Sequence, residues 1–203
     1  MTLSSQNDLH TFFYPESVAV IGASQDPSKA GHQVIKNLIR AYKGAIYPVN
    51  PRGGELLGLT CYKSLGEIEG KIDLAMITVP AVVVPGVFDE IVARGDIKSV
   101  VVVSAGFSET KTEAGKERED YIIGLAKEHG IRFFGPNCTG VINTGIQMDT
   151  TIEPSVELKP GHVSVFSQSG AVAGSILLMM NDQPVPMGFS KWAHVGNMAD
   201  VDV

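Results

Sequence analysis

The chain has 203 residues, of which 44% are apolar and 19% are charged, so it has the composition of a globular protein with enough apolar material for a core. Its net charge of −6 and the lack of a long basic run argue against nucleic acid or an anionic membrane as the main partner. No segment suits a membrane span or signal peptide, and Cys61 and Cys138 suggest neither a disulfide framework nor a zinc pattern, so we expect a cytoplasmic protein.

Short β-rich runs alternate with candidate helices over the first two thirds of the chain. The run VVVV at 100–103 shows no alternation, which is typical of a strand buried on both faces of a parallel sheet. The alternation predicts an α/β fold with a doubly wound parallel domain over residues 10–140. The predicted strands are 17–22, 45–50, 73–79, 99–105 and 131–135, and the predicted helices lie near 30–42, 82–94 and 112–129.

The pattern changes after residue 140. Residues 140–161 contain Gly, Pro and Thr with little periodicity, which favours a long connection. A strand at 162–166, the polar turn SQSG, a helix from about 170 to 180 and a strand in 188–196 follow. We expect residues 150–203 to be the beginning of a second, truncated α/β domain.

The turn at Gly22 is the first candidate binding site. In an open parallel sheet, ligands lie at the carboxyl ends of the strands, and the first strand-to-helix turn is the usual anion site. The next glycine is Gly31, which does not fit the dinucleotide fingerprint. The second strand ends at Asn50 and Arg52 rather than at the acidic residue of an NAD site. Arg52 indicates a phosphate on or near a ribose, as in NADP or coenzyme A (CoA), with a solvated loop as the alternative.

Six segments, in the same order, resemble one family. They are VAVIGAS…G (18–31), YPVNPRG (47–53), ITVPA (77–81), VVSAGFSE (102–109), FGPNCTG (134–140) and VFSQSGAVA (165–173). The chain resembles the CoA-binding portion of an ADP-forming acyl-CoA synthetase of the acetyl-CoA type, and is similar to the α subunit of succinyl-CoA synthetase. Such ligases interconvert acyl-CoA, ADP and phosphate with a carboxylic acid, CoA and ATP, through an acyl phosphate and a phosphohistidine.

The resemblance implies a Rossmann-like CoA-binding domain followed by the start of a flavodoxin-like α/β domain. It also implies roles for residues at the predicted strand ends, although plain Gly/Pro turn chemistry is the alternative interpretation. The implied residues are Gly22, Ala23, Ser24 and Lys29 around the CoA phosphates, Asn50, Pro51 and Arg52 at the adenosine-phosphate end, Val79 and Pro80 along the adenine or pantetheine path, and Ser104, Ala105 and Gly106 beside the pantetheine arm.

Two later segments are implied to contact phosphate or the acid. Asn137 can donate to and accept from an acyl or phosphate oxygen. In SQSG, Ser167, Ser169 and Gly170 precede a helix whose free N–H groups favour an anion, with a simple serine N-cap as the alternative. Cys138 fits a small buried residue better than a nucleophile, because no base is identifiable and CoA supplies its own thiol.

The chain contains neither the phosphohistidine segment nor the ATP-grasp nucleotide unit of this family. We therefore expect ATP or ADP with Mg²⁺ to bind a domain or subunit outside this chain, in a homo- or hetero-oligomer, and no metal site within it. The substrates implied are a small carboxylic acid and phosphate, and the chain alone is expected to be inactive. His32 is a candidate contact for a CoA phosphate, and His194 is expected to pack beside Trp192 rather than to line the substrate pocket. The other functions considered are a CoA-binding regulatory module of a protein acetyltransferase and an NADP oxidoreductase.

Overall fold

The structure is a computed structural model that describes residues 9–154, 156–182 and 187–201. Its first layer is a five-stranded sheet in which every neighbouring pair is parallel, with the order β2–β1–β5–β6–β7. The chain order reverses between β1 and β5, which makes the carboxyl ends of these two strands the topological switch point. The strands are β1 (Ser17–Ile21), β2 (Ala45–Val49), β5 (Leu74–Ile77), β6 (Ser99–Val102) and β7 (Arg132–Phe134).

Helices cover both faces of this sheet. In β1, Val18 and Val20 pack into one apolar cluster with helix α2 (Ala30–Ile39). Ala19 and Ile21 pack into a second cluster with helices α3 (Val84–Arg94) and α4 (Glu113–His129). All residues of β1, β5 and β6 are buried, and for β6 this is the burial that the unbroken apolar run at 100–103 predicts. The predicted doubly wound α/β fold is therefore confirmed. The helices are α1 (His10–Phe13), α2 (Ala30–Ile39), α3 (Val84–Arg94) and α4 (Glu113–His129).

A small antiparallel hairpin follows β2 and was not predicted. It consists of β3 (Gly54–Leu56) and β4 (Leu59–Cys61), joined through Leu57 and Gly58, which both have positive φ angles. The hairpin reaches the loop after β1, where the Gln25 side-chain amide donates to the carbonyl of Glu55. It therefore lies against the loop after β1, near the carboxyl ends of β1 and β2.

The second layer is a four-stranded sheet with the order β10–β11–β8–β9, in which β10 and β11 are parallel and the other pairs are antiparallel. The expectation of a connection over 140–161 was wrong in part, because β8 and β9 lie there and β8 is fully buried against β11. The domain boundaries of 10–140 and 150–203 stay a prediction. The elements are β8 (Gly140–Asn143), β9 (Met148–Asp149), β10 (Pro160–Ser167), α5 (Gly170–Asn181) and β11 (Phe189–His194).

Polar contacts hold the second layer against the first. The Asn37 amide on α2 donates to the carbonyls of Thr151 and Glu153, at 2.8 and 3.1 Å. On the opposite side, Arg132 of β7 forms an ion pair with Asp200, with 2.9 Å between Nε and Oδ2. The end of β11 reaches the carboxyl end of β7 through backbone bonds from Gly135 N–H to the Val195 carbonyl, at 3.1 Å, and from Asn197 N–H to the Pro136 carbonyl, at 2.8 Å. Across the described ranges, no helix combines the length and apolar character needed to cross a membrane.

Candidate functional site

The turn after β1 is held between its two neighbouring strands. The N–H groups of Gly22 and Ala23 both donate to the carbonyl of Val49, at 3.0 and 3.2 Å. On the other side, Thr78 Oγ1 donates to the carbonyl of Ile21 at 2.9 Å. Gly22 has φ of +94°, and a Cβ atom there would lie 2.8 Å from Thr78 Oγ1, so this position requires glycine. The sequence analysis assigned no role to Thr78, which lies within the predicted strand 73–79 and directly follows β5 in the structure.

The loop from Gly22 to Gly31 is longer than the loop of the dinucleotide fingerprint, and hydrogen bonds within the loop hold its shape. The His32 ring donates from Nδ1 to the carbonyl of Ser24, with 2.9 Å between the atoms. The Asp26 carboxylate accepts bonds from the backbone and hydroxyl of Ser28, and these bonds lower the pKa of Asp26. Helix α2 then begins where Gly31 packs directly on the Gly22 turn. His32, on helix α2, thus holds the loop in place through its bond to Ser24.

A cavity of about 190 Å³ opens beside this loop, at the carboxyl ends of β1 and β2. The structure brings together here four of the residues implied to bind CoA, namely Ala23, Ser24, Asn50 and Arg52. The other implied residues of these two segments, Gly22, Lys29 and Pro51, are not among its lining residues. The remaining lining residues are Gln25, Asp26, Gly53, Glu55, Leu56 and Cys61. We call this space the first cavity.

The lining of the first cavity supports several kinds of contact. The Asn50 side chain is used internally, because its Nδ2 donates to the Ala23 carbonyl at 2.8 Å and its Oδ1 accepts from the Arg52 N–H at 2.9 Å. The exposed Arg52 guanidinium can bind an anionic oxygen. The carboxylates of Asp26 and Glu55 can accept hydrogen bonds from hydroxyl or amino groups. A guanidinium beside hydrogen-bond acceptors and apolar atoms fits a phosphorylated ribonucleoside.

The ends of β5 and β6 lie next along the same edge of the sheet. The Ser104 hydroxyl donates to the carbonyl of Val79, which ties the two strand ends together. Gly106 has φ of +119°, and a Cβ atom there would lie 2.9 Å from the Ala81 methyl group. Four implied residues of this edge line neither the first cavity nor the larger cavity described below, namely Val79, Pro80, Ser104 and Gly106. Their positions form the edge between those cavities.

A second cavity, of about 480 Å³, lies where β6, the GPNCTG segment, α5 and β11 meet. It brings together Ala105, Asn137 and Gly170 of the residues implied by the resemblance. Its other lining residues are Val103, Glu109, Cys138, Thr139, Ile152, Gln168, His194, Gly196 and Asn197. We call this space the second cavity.

The two serines of SQSG do not line the second cavity. The Ser169 hydroxyl accepts from the Val172 N–H at 3.5 Å, which makes Ser169 the N-cap of α5. The Ser167 hydroxyl accepts from the Ser169 N–H at 3.2 Å and donates to its carbonyl at 3.0 Å. These hydroxyls therefore shape the turn, which was the alternative interpretation of this motif. Gly170 presents the start of the helix to the cavity.

Glu109 and Asn197 form a contact that the sequence analysis missed. The Glu109 carboxylate accepts bonds from the N–H groups of Gly106 and Phe107, at 2.6 and 3.1 Å, and from the Asn197 amide at 2.7 Å. Burial alone would raise the pKa of Glu109, but these hydrogen bonds outweigh it and hold the pKa below its usual range. The SAGFSE segment contains Glu109, yet only the fold shows that Asn197 meets it.

Cys138 and His194 both line the second cavity. The Cys138 thiol donates to the Val102 carbonyl at 3.2 Å, and burial raises the pKa of Cys138 to about 12, as suits a small buried residue. The ring of His194, for which packing beside Trp192 stays a prediction, lies in the wall of the second cavity. The part of the chain that the structure describes holds no group of three or more His, Cys, Asp or Glu side chains suited to a metal ion.

Comparisons with known proteins agree with this layout. Residues 16–144 match a family model described as a CoA binding domain, and residues 160–203 match one described as a succinyl-CoA ligase like flavodoxin domain. The chain is 42% identical over 196 residues to the ADP-forming acetate–CoA ligase II of Archaeoglobus fulgidus, covering 96% of this chain and 29% of that protein. It is 43% identical over 194 residues to the α subunit of the ADP-forming acetate–CoA ligase II of Pyrococcus furiosus, covering 96% and 41%.

A solved structure shows the same arrangement. The dinucleotide forming acetyl-coenzyme A synthetase 1 of Candidatus Korarchaeum cryptofilum, in complex with phosphate and ADP, matches with a TM-score of 0.89 at 37% identity. The match covers 97% of this chain and 41% of that one, so the chain spans less than half the length of these relatives. The predicted resemblance to ADP-forming acyl-CoA synthetases and the predicted order of a Rossmann-like and a flavodoxin-like unit are confirmed. Because the first family model matches more than half of its residues, the chain belongs to the family of CoA binding domains.

Proposed function

We propose that this chain is the CoA-binding portion of an ADP-forming acid–CoA ligase. The observation that carries the proposal is the first cavity, where Arg52 lies beside the loop after Gly22 at the carboxyl ends of β1 and β2 of a CoA binding domain. The ligase names of the similar proteins favour this function over a regulatory module of a protein acetyltransferase. We place the enzyme in the cytoplasm.

The first cavity fits the adenosine end of CoA. In this proposal, the Arg52 guanidinium binds the phosphate on the ribose, and the Gly22–Ser24 turn faces the diphosphate. Lys29 at the start of α2 adds an exposed positive charge near that loop, and Pro51 fixes the backbone before Arg52.

The extended arm of CoA would follow the sheet edge towards the second cavity. Val79, Pro80, Ser104 and Gly106 form that edge, and Ala105 lies where the edge meets the second cavity. CoA supplies the thiol that becomes the thioester. The residues of this chain therefore bind and orient it, and we assign no nucleophilic role to Cys138.

The second cavity is the proposed site for the acid and phosphate groups. Asn137 offers an amide, and Gly170 allows close approach to the backbone at the start of α5, with Ser167 and Ser169 shaping that turn. ATP or ADP with Mg²⁺ would bind an ATP-grasp domain or subunit in a homo- or hetero-oligomer. This part of the proposal rests on the resemblance.

Isothermal titration calorimetry of the chain with CoA, and separately with NAD, tests the proposal. We expect CoA to bind with a stoichiometry of one and NAD to produce no binding heat. We also expect no ATP formation when the chain alone is given acetyl-CoA, ADP and phosphate. Binding of NAD in preference to CoA would contradict the proposal.

A further inference from the structure

We propose that His194 is a positioning residue that sets the spacing between the GPNCTG segment and the start of α5 on the two sides of the second cavity. This inference rests on the proposed function of that cavity as an anion site. His194 is the last residue of β11, which lies between β10 and β8. In the strand register it pairs with Ser167, where β10 leads into SQSG, and with Gly140, where GPNCTG leads into β8.

The two nitrogens of the imidazole ring connect the same two segments that the backbone of His194 pairs with. Nε2 lies 3.0 Å from the carbonyl oxygen of Gln168, which can only accept, so Nε2 carries the proton and donates. Nδ1 lies 3.0 Å from the backbone nitrogen of Thr139, which can only donate, so Nδ1 accepts. Each nitrogen therefore contacts one of the two segments, and the partners define a single neutral tautomer.

The ring also packs against the beginning of the helix. A Cβ atom added to Gly170 would lie 2.9 Å from His194 Cε1, which shows how closely the ring follows the helix backbone. The side chain is 5% exposed, and burial lowers the pKa of His194, in agreement with a neutral ring. Because both nitrogens are used, His194 supplies geometry to the cavity rather than charge or a nucleophile.

The bond between His194 and Gln168 affects the direction of the peptide groups in SQSG. The bond from Nε2 holds the Gln168 carbonyl towards the ring, and the N–H groups at the beginning of α5 point away from the helix, where they can meet an anion. Without that donor, the carbonyl oxygen is free to turn towards the same anion, which it would repel. The contact to Gln168 should therefore matter more for anion affinity than the contact to Thr139.

Two variants separate these contacts. His194→Gln places an amide near the Nε2 position and keeps a donor for Gln168, whereas His194→Asn reaches only the Nδ1 position and keeps an acceptor for Thr139. Inorganic phosphate is the probe, and the backbone amide shifts of Gly170 and Ala171 in ¹H–¹⁵N NMR spectra report its binding. We expect the Kd for phosphate to rise about fivefold or more in His194→Asn, the range of one lost hydrogen bond, and to stay within about twofold in His194→Gln.

Imidazole ¹⁵N shifts should show a protonated Nε2 and an unprotonated Nδ1 in the wild-type chain. Equal phosphate affinity in the two variants, no phosphate-dependent shift in the wild type, or the opposite tautomer would overturn the inference. A CoA titration of each variant should match the wild type, which also shows that the variant folds. Failure of the wild type to bind CoA would instead reject the proposed function. The dispersion of the ¹H–¹⁵N spectra would then show that each variant folds, and the comparison of the two variants would still decide the role of His194.

Discussion

Gly31 on α2 packs directly against Gly22 at the end of β1. A Cβ atom added to Gly31 would overlap the carbonyl oxygen of Gly22 and lie 2.8 Å from its carbonyl carbon. The same Cβ atom would lie 2.8 Å from Thr78 Oγ1. This contact explains the unusual glycine spacing, because the second glycine lets the helix approach the strand, while the loop between them remains long enough to form one wall of the first cavity.

We expect Gly31→Ala to lower the free energy of unfolding by about 1–3 kcal/mol, the usual cost of overpacking. Gly86→Ala in α3 is the matched control, because its added methyl group would meet nothing within 4 Å. That change should leave stability equal or raise it by up to about 1 kcal/mol, since alanine favours a helix. Urea unfolding followed by circular dichroism measures both, and equal stability of the two variants would show that the packing at Gly31 is unimportant.

Arg52→Ala should weaken CoA binding by about 1–3 kcal/mol, the range for a hydrogen bond to a charged group. The loss should be absent with dephospho-CoA, which lacks the ribose phosphate. Lys116→Ala, on the exposed side of α4, removes the same charge elsewhere and serves as the control. Calorimetric titrations of both ligands give the comparison. Equal losses for CoA and dephospho-CoA would remove Arg52 from the phosphate site.

Asp149→Asn should stabilise the protein near neutral pH. Burial raises the pKa of Asp149 to about 6, despite bonds from Thr151 and the nearby charge of Arg40, while Glu153 raises it further. Among the described residues its Oδ2 has no hydrogen-bond partner. Because the folded pKa lies above the unfolded value, the protonated form favours folding. The wild type therefore gains stability as the pH falls from about 7 towards 4.

The expected gain for Asp149→Asn is about 1 kcal/mol at pH 7.5, and it should shrink as the pH falls through 6. It is smaller than the full cost of the buried charge, because the new amide group also lacks a partner. Urea unfolding at a series of pH values is the measurement, with Asp120→Asn on the exposed side of α4 as the control. A constant difference between wild type and variant from pH 7.5 to 4.5 would mean that Asp149 does not titrate in this range.

Cys138→Ala should leave CoA affinity unchanged and cost about 1 kcal/mol of stability, the typical effect of a small truncation. With its pKa raised to about 12 and 2% of its surface exposed, the thiol is almost entirely protonated at pH 8 and inaccessible. Mass spectrometry should find little alkylation of Cys138 by iodoacetamide in the native chain and complete alkylation in urea. Rapid native alkylation would restore Cys138 as a candidate nucleophile.

Local sequence patterns were sufficient to predict a strand where the burial of the segment follows from its own residues. The run at 100–103 predicted β6 because four consecutive apolar residues suit a strand covered on both faces. The β3–β4 hairpin and strands β8 and β9 were missed because they are short and lie in glycine-containing stretches with little periodicity. Such short segments lack a measurable period, and their pairing depends on partners elsewhere in the chain.

By itself, the sequence determined the parallel α/β fold, the Gly22 turn and the family resemblance, because strand ends, glycines and motif order are local features. Only the tertiary structure decided how the side chains are used. Asn50 follows a strand, as predicted, but its amide holds the Ala23 carbonyl, and His194 lies in a cavity wall rather than only beside Trp192. A hydrogen bond between residues 27 or more positions apart exists only when the fold brings its donor and acceptor within about 3 Å, and no local pattern encodes that distance.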